Sequence, residues 1–357
     1  MTLAPWQEEA WRLLAARRAR GAMPHAILLC GAPGLGQRDF AERLGAWLLC
    51  EQDGDTPCGT CRACRLYAVR TQRDPEETRP DGALAQPHGH PNHPDARFVG
   101  YAWNAKASPK KMYGELVVEQ IRELSDWLAL PPQFGRAQVA LVEPAEALNV
   151  AAANALLKTL EEPGPGRHLI LVTTQPARLP ATIRSRCQRV ELHPPALATA
   201  EAWLRGRGIA DATARQALVA SDGNPGQALE WIEADKLKLR NEVAKDLREL
   251  SAGIAAPFEV AQRWSRDEAD LRLRFAAALV QQQGRVQAQA ASSAPAGGPL
   301  ALTRAVDLAK LAAWFDRANR TRDLLRGPIR PELAMLELLG AWPTTRASDG
   351  GVQSGVK

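Results

Sequence analysis

Four cysteines with the spacing of a metal site lie in the N-terminal part of the chain: Cys50, Cys58, Cys61 and Cys64. Gaps of two residues let successive thiolates converge on one ion, and a set of four thiolates is typical of a closed, tetrahedral zinc site. Because a closed site leaves no coordination position for a substrate, the pattern predicts structural zinc and no metal-based catalysis. Two alternatives remain open here: an iron–sulfur cluster, although the run lacks the further Cys-Pro of ferredoxin sequences, and four unrelated thiols.

A second pattern, the sequence GAPGLGQRD after the apolar run AILLC, has the glycine spacing of a phosphate-binding loop. In a working loop, a lysine reaches the β- and γ-phosphates and a Ser or Thr hydroxyl holds Mg²⁺. Those two positions here hold Gln37, which carries no charge, and Arg38, which cannot bind a metal ion. The sequence therefore predicts a degenerate nucleotide site, whose remaining glycines are Gly31, Gly34 and Gly36.

The run VALVEP carries the acidic residue that comes next in such a site. Mg²⁺ coordination and water activation need adjacent acids at the end of a buried strand. Here Glu143 is followed by Pro144, so the second acid is missing. Two independent losses at the appropriate places indicate an inactive relative of an ATPase rather than a chance run of glycines.

Short apolar runs and helical periodicity predict the elements that would position these residues. Buried strands are expected at 25–30, 137–144, 168–176 and 186–194, and helices at 5–20, 38–50, 116–130 and 147–162. Because strands alternate with helices, the pattern predicts a doubly wound α/β sheet. The order of strand, glycine loop and helix is the context that a phosphate-binding loop requires.

Residues 70–115 are rich in Pro, Gly, His and charged residues and show little periodicity. We interpret them as a long exposed loop or a partly disordered insertion. His88, His90 and His93 lie in this segment and could bind a metal, but their Pro- and Gly-rich setting favours solvated histidines.

The C-terminal part of the chain contains no further strand-like run after the turn at 193–195. Residues 196–240 are expected to form short helices, and residues 241–340 longer ones, interrupted by a small-residue linker at 287–299. The composition is that of an ordinary globular protein, with 45% hydrophobic and 24% charged residues. The net charge of +5 favours an acidic partner such as DNA only weakly. With no membrane-length apolar run and no secretory signal pattern, we expect a cytoplasmic protein.

The segment NALLKTLEEPGPGRHLILVTTQPARLPATIRSRCQRVEL, at 154–192, resembles the clamp-loader branch of the AAA+ ATPases. The resemblance implies an AAA+ P-loop-type parallel sheet domain at 1–194, which carries the cysteine module at 50–64. It further implies a small helical lid domain at 195–240, an all-helical collar domain at 241–345 that mediates oligomerisation, and a disordered tail at 346–357.

The resemblance also implies a function, that of a non-hydrolysing subunit in a hetero-pentamer with gamma/tau and delta subunits of DNA polymerase III. That assembly opens a sliding clamp and places it on primer–template DNA. The arginine of the SRC motif, Arg186, would project as an arginine finger into the ATP site of the adjacent gamma/tau subunit. Thr173 and Thr174 match the position where the family senses γ-phosphate, but without the lysine we interpret them as structural.

A further departure from the active members of the family lies in the expected lid. An arginine of their lid reaches their own nucleotide, whereas the corresponding stretch GNPGQAL places Gly226 there. The chain would thus lack ATPase and polymerase activity of its own while it retains the residue that serves a neighbour.

Two other functions compete with this interpretation. One is an active AAA+ ATPase in which Arg38 replaces the charge of the lysine, although Arg38 lies one position late and displaces the Mg²⁺-binding hydroxyl. The other is an independent zinc-containing nucleic-acid-binding module, which explains the cysteines and the charge but leaves the SRC motif and the glycine loop without a role.

Overall fold

The computed structural model describes residues 2–80, 82–104, 111–289, 298–300, 308–325 and 329–343. The chain divides into two compact units, residues 1–199 and residues 200–357. The expected tail at 346–357 and most of the expected linker at 287–299 lie outside the described residues. Among the described helices, none combines the length and the apolar character that crossing a bilayer would require.

The first unit is an α/β structure. Its strands are β1 (Ala26–Gly31), β2 (Arg70–Thr71), β3 (His90–Pro91), β4 (Ala96–Val99), β5 (Trp103–Asn104), β6 (Lys111–Met112), β7 (Gln138–Val142), β8 (Arg167–Thr173) and β9 (Gln188–Leu192). Its helices are α1 (Glu8–Ala19), α2 (Gln37–Leu49), α3 (Arg62–Ala68), α4 (Val118–Ala129), α5 (Val150–Glu161) and α6 (Ala181–Arg184). Five strands form one sheet in the order β4-β7-β8-β1-β9, and every pairing in it is parallel.

The central strands β1, β7 and β8 are buried on both faces, and their successive side chains point to opposite sides of the sheet. Ile27 and Leu29 of strand β1 pack in the cluster that contains helices α1 and α2. Ala26 and Leu28, the alternate residues, pack in the cluster with helices α4 and α5. This arrangement confirms the predicted α/β sheet, and it fixes the strand ends at which the candidate site residues lie.

Strand β4 shows that the interpretation of residues 70–115 as a long loop was wrong. Residues 96–99 form an edge strand of the main sheet, paired in parallel with strand β7. Phe98 is only 3% exposed, and it packs in the cluster of helices α1 and α2. A four-residue strand with only two buried side chains gives too short an alternation to be recognised among prolines, glycines and histidines.

The second unit consists, in its described residues, of helices and the turns that connect them, as predicted. Its helices are α7 (Leu197–Arg205), α8 (Asp211–Ala220), α9 (Pro225–Glu233), α10 (Leu237–Ala252), α11 (Pro257–Arg266), α12 (Ala269–Gln289), α13 (Leu308–Leu324) and α14 (Pro331–Gly340). The first residues of helix α7 belong to the preceding unit. Helices α7 to α9 share a small core that includes Leu204 and Leu218. Helices α10 to α14 share a larger core around Trp264 and Trp314. The bounds of separate lid and collar domains stay a prediction.

Replacement of a core residue of the sheet should destabilise the first unit. Leu171 is 0% exposed, so we expect Leu171→Ala to lower the free energy of unfolding by about 2–5 kcal/mol. The control is Val150→Ala, because Val150 is 77% exposed, and it should change the same quantity by less than about 0.5 kcal/mol. Urea unfolding of the full chain measures both values. Equal effects of the two substitutions would contradict the assignment of the core.

Candidate functional site

The glycine loop lies between strand β1 and helix α2, where the sequence pattern predicts it. Gly34 and Gly36 have φ angles of 88° and 76°, a left-handed conformation that favours glycine over other residues. A Cβ atom at Gly36 would also lie 2.7 Å from Nε2 of Gln7. The glycines therefore give the loop the backbone shape that they predict.

Side chains of the protein itself contact the carbonyl groups of this loop. Gln7 donates from Nε2 to the carbonyl oxygens of Leu35 and Gly36, over 2.9 and 3.1 Å. The Trp6 indole donates to the same Leu35 oxygen over 2.9 Å. Gln37, at the lysine position, donates from Nε2 to the carbonyl of Ala32 over 2.7 Å. The Gln37 side chain thus stabilises its own loop and offers no cation.

Arg38 is the buried centre of the degenerate site. Its guanidinium donates to Glu42 over 2.5 Å, to Glu143 over 2.7 Å and to the Gln86 side-chain oxygen over 2.6 Å. It also lies 4.7 Å from the centre of the Phe98 ring. Burial alone would lower the pKa of Arg38, but Glu143 and Glu42 outweigh it and raise the pKa above its ordinary value. Arg38 is therefore a fixed internal cation, paired with the acid that directly follows strand β7.

Further basic groups join this network through the same two carboxylates. Arg70 lies 2.9 Å from Glu42, and Nδ1 of His88 lies 3.3 Å from it. Arg79 lies 3.7 Å from Glu143. Buried carboxylates need such partners, because an uncompensated buried charge is strongly destabilising. We call the set of Arg38, Glu42, Gln86 and Glu143, with the basic groups that contact it, the Arg38 network.

Two of the three histidines show that their interpretation as solvated loop residues was wrong. The His93 side chain is buried against Phe134, with ring centres 4.8 Å apart, and its Nδ1 accepts from the Asp95 amide. Burial lowers the pKa of His93, although nearby Asp95 opposes that shift. His90 lies 2.8 Å from the buried carboxylate of Glu77. Both are structural because the chain around residues 90–99 pairs with neighbouring strands and packs on the sheet.

The two threonines at the end of strand β8 have local partners. Thr174 donates its hydroxyl to Glu146 over 2.9 Å. Thr173 is buried, and its hydroxyl accepts from the amide of Gln175 over 3.0 Å. These contacts are consistent with the structural interpretation of both residues.

The four cysteine sulfur atoms lie within 4.8 Å of one another, so the structure brings together all four predicted ligands. The Cys50–Cys61 and Cys58–Cys64 sulfur pairs are each 4.0 Å apart. Tetrahedral zinc with Zn–S bonds of about 2.3 Å needs sulfur atoms about 3.8 Å apart, so the donor set fits this ion. Backbone amides of Cys61 and Thr60 donate to the Cys58 sulfur and lower its pKa to about 6. Those hydrogen bonds favour the thiolate form that binds a metal.

The loop between Cys50 and Cys58 is attached to the α/β unit by several contacts. Trp11 donates to the carbonyl of Asp55 over 2.8 Å, and Trp47 donates to that of Gly54 over 2.7 Å. Arg136 also pairs with Asp53 over 2.5 Å. The cysteine cluster is thus held against helices α1 and α2 through side chains outside the cysteine run.

Arg186 lies at the surface, two residues after the end of helix α6. Its Nε and one terminal nitrogen lie 2.9 and 2.6 Å from the same oxygen of Glu161. The other terminal nitrogen donates to the carbonyl of Thr182 over 3.0 Å. The side chain keeps 36% of its surface exposed, so this arginine remains accessible to a neighbouring molecule.

Gly226 lies in the first turn of helix α9, where the family resemblance would require the lid arginine. Asn224 caps this helix by accepting from the amide of Gln227 over 3.1 Å. The position thus belongs to a regular helix start and carries no side chain that could reach a nucleotide.

A parallel sheet with a glycine loop between its first buried strand and the next helix is typical of P-loop-type domains. The family described as "DNA polymerase III, delta subunit" matches residues 6–196. The chain belongs to the delta-prime family of DNA polymerase III subunits, as its relatives also indicate.

Two of these relatives are proteins named DNA polymerase III subunit delta′. The protein of Pseudomonas aeruginosa is 34% identical over 73% of this chain and 71% of its own length. That of Escherichia coli is 32% identical over 77% of this chain and 74% of its own length. The DNA polymerase III subunit tau of Salmonella typhimurium is 33% identical over 52% of this chain and 24% of its own length. A solved gamma subunit-related protein of Thermotoga maritima is 16% identical and covers 94% of this chain and 97% of its own, with a TM-score of 0.42.

The motifs in the sequence indicate Arg38 and Glu143 as residues of the candidate site, but they do not connect Glu42, Gln86 or His88 with these two. The Arg38–Glu42 pair has a signal in the sequence, because residues four apart on a helix lie on the same face. Gln86 and His88 have none, because they reach Arg38 and Glu42 through a segment without periodicity.

Removal of the central cation should destabilise the first unit. In Arg38→Met, Glu143 and Glu42 lose their shortest partner, so we expect the free energy of unfolding to fall by about 3–5 kcal/mol. The matched control is Arg189→Met, which removes an exposed ion pair with Glu191 and should cost at most about 1 kcal/mol. Urea unfolding measures both, and a loss below about 1 kcal/mol in Arg38→Met would contradict the assigned network.

Proposed function

We propose that this chain is the non-hydrolysing subunit of a DNA polymerase III clamp loader. In that assembly, it helps to place the sliding clamp on primer–template DNA. The observation that carries the proposal is the Arg38–Glu143 ion pair of 2.7 Å. It occupies the two positions whose side chains would hold Mg²⁺ and the attacking water in an active relative. Arg38 already supplies the positive charge at this place, and it pairs with the carboxylate that would otherwise bind the metal. The site therefore neither needs the metal nor offers it a free ligand.

The same contacts argue against the alternative of an active ATPase with an unusual loop. In that alternative, the Arg38 charge would replace the lysine charge on the phosphates. Two carboxylates, Glu42 and Glu143, lie within 2.7 Å of the guanidinium and neutralise it. A phosphate that approached would meet these acids as well, so Arg38 is unsuited to bind it.

The expected partners follow from the family and from the tau relative. We propose a hetero-pentamer with gamma/tau and delta subunits, in which residues 195–240 act as a lid and residues 241–345 as part of the oligomeric collar. The sliding clamp and DNA would be contacted as part of this assembly, in the cytoplasm. This function gives the glycine loop and the SRC motif a role, which an independent zinc-containing nucleic-acid-binding module does not.

Arg186 is proposed as an arginine finger that acts on the ATP of the adjacent gamma/tau subunit. Its exposed position supports this role, and its partner Glu161 is itself half exposed. Ion pairs of this kind contribute at most about 1 kcal/mol, so the local pair does not compete strongly with a phosphate. The finger would add positive charge beside the γ-phosphate only while the neighbour is docked, which couples hydrolysis to assembly.

We propose that Cys50, Cys58, Cys61 and Cys64 bind one structural zinc ion. The close sulfur atoms and the backbone amides that donate to them support this site. Bound zinc would cross-link the end of helix α2 to the start of helix α3, and it would do no chemistry on a substrate.

The finger assignment predicts a defect in the assembled loader. We expect Arg186→Ala to leave assembly with gamma/tau and delta intact. At the gamma/tau ATP site that Arg186 would contact, called the served site below, it should slow hydrolysis by at least about 10³-fold. Steady-state ATP hydrolysis in the presence of clamp and primer–template DNA measures the loss, and native mass spectrometry measures assembly. Arg205→Ala is the control, since Arg205 is an exposed arginine with an exposed partner. Unchanged hydrolysis in Arg186→Ala would show that the finger assignment is wrong.

The metal assignment predicts about one zinc ion per purified chain, measured by elemental analysis. Cys61→Ser should lose the zinc and lower the melting temperature, because three thiolates no longer close the tetrahedron. Cys187→Ser, which changes a cysteine outside the cluster, should keep the full zinc content. Iron instead of zinc, or zinc that survives Cys61→Ser, would contradict the assignment.

A further inference from the structure

The carboxylate that contacts Arg186 occupies an unusual place in its helix. Glu161 is the last residue of helix α5, and Glu162 follows it as the C-cap. Acidic groups at a helix C-terminus are unfavourable, because the last carbonyl groups carry partial negative charge. An acid at this place therefore depends on a cation, and Arg186 supplies it at 2.6 Å.

The contacts of Arg186 involve all three nitrogens of its guanidinium group. A guanidinium carries five N–H donors in one plane. Nε and one terminal nitrogen each direct a donor to Glu161, and the other terminal nitrogen directs one to the carbonyl of Thr182. The nitrogen that contacts Thr182 also lies 3.5 Å from the Ser185 hydroxyl oxygen. The outward N–H groups of the two terminal nitrogens form the end-on fork that binds two oxygens of a phosphate.

We propose that Glu161 is a positioning residue, which holds the side edge of Arg186 so that its end-on fork is presented to the γ-phosphate of the neighbouring subunit. This inference rests on the proposed function of Arg186. In this arrangement the Glu161–Arg186 pair stays intact while the phosphate binds, because the carboxylate and the phosphate contact different edges of the guanidinium.

Both groups that hold Arg186 belong to fixed elements of the first unit. Helix α5 is anchored by the buried Leu156 and Leu160, which precede Glu161. Thr182 lies in helix α6, next to the fully buried Ile183. A long, half-exposed arginine samples many rotamers on its own, and two anchored acceptors select the one that points the fork outward.

Loss of Glu161 should change the rate more than the binding of ATP. Without the carboxylate, Arg186 is still present and its charge is less neutralised, so ATP affinity at the served site should stay equal or increase. The orientation of the fork is lost, so we expect the kcat of that site to fall by about five- to tenfold in Glu161→Ala. Glu161→Gln keeps a neutral acceptor oxygen and should restore part of the rate.

The test is a double-mutant cycle in the reconstituted loader with gamma/tau, delta, clamp and primer–template DNA. We compare Glu161→Ala, Arg186→Ala and the double variant for kcat and KM of ATP hydrolysis, with Glu162→Ala as the matched control. Glu162 is the exposed neighbouring acid, and its loss should leave the rate unchanged. The expected result is a reduced kcat without a raised KM in Glu161→Ala, and a double variant no slower than Arg186→Ala alone.

Two results would overturn the inference while the proposed function stands. One is a wild-type rate for Glu161→Ala where Arg186→Ala is slow. The other is an additive defect in the double variant, which would show that Glu161 acts through the fold and not through Arg186. A wild-type rate for Arg186→Ala would instead refute the finger itself, and the inference with it.

Discussion

The buried ion pairs of Arg38 are the interaction on which the candidate site depends. Glu42 from helix α2, Glu143 from the end of strand β7 and Gln86 from the 70–115 segment all converge on one guanidinium. Because a buried charge is tolerated only when it is paired, each of these elements must be in place for the others to be stable. The network thus joins three separate parts of the chain at the edge of the sheet where a nucleotide-binding relative holds its metal.

This arrangement explains how a phosphate-binding loop can persist without its lysine. The glycines still give the turn between strand β1 and helix α2 its backbone shape, and Gln7, Trp6 and Gln37 stabilise that turn. The loop therefore still has a structural role. On the proposed function, rigidity at this site is useful, since a subunit that does not cycle with ATP can offer Arg186 to its neighbour from a fixed platform.

Much of this organisation could be predicted from the sequence. The features that could not be predicted all depend on contacts between residues that are distant in the chain. Four strands, the glycine loop and the cysteine set depend on local patterns: apolar runs, turn residues and ligand spacing. The edge strand β4, the buried His93 and the contact of Gln86 with Arg38 depend on how residues 70–104 fold against the sheet. That segment is stabilised by contacts with distant residues, as in the Asp95 carboxylate that accepts from the amides of Gln133 and Phe134. Local composition, rich in proline and glycine, gives no sign of such contacts.

The most direct test of the central claim is calorimetric titration of the purified full chain with ATP, with and without Mg²⁺. If Arg38 takes the place of the metal, we expect no saturable Mg²⁺-dependent binding at ATP concentrations up to the millimolar range that saturates typical ATPases. A gamma/tau subunit titrated under the same conditions is the positive control. Saturable, Mg²⁺-dependent binding of one ATP per chain would contradict the claim that this loop has lost its nucleotide chemistry.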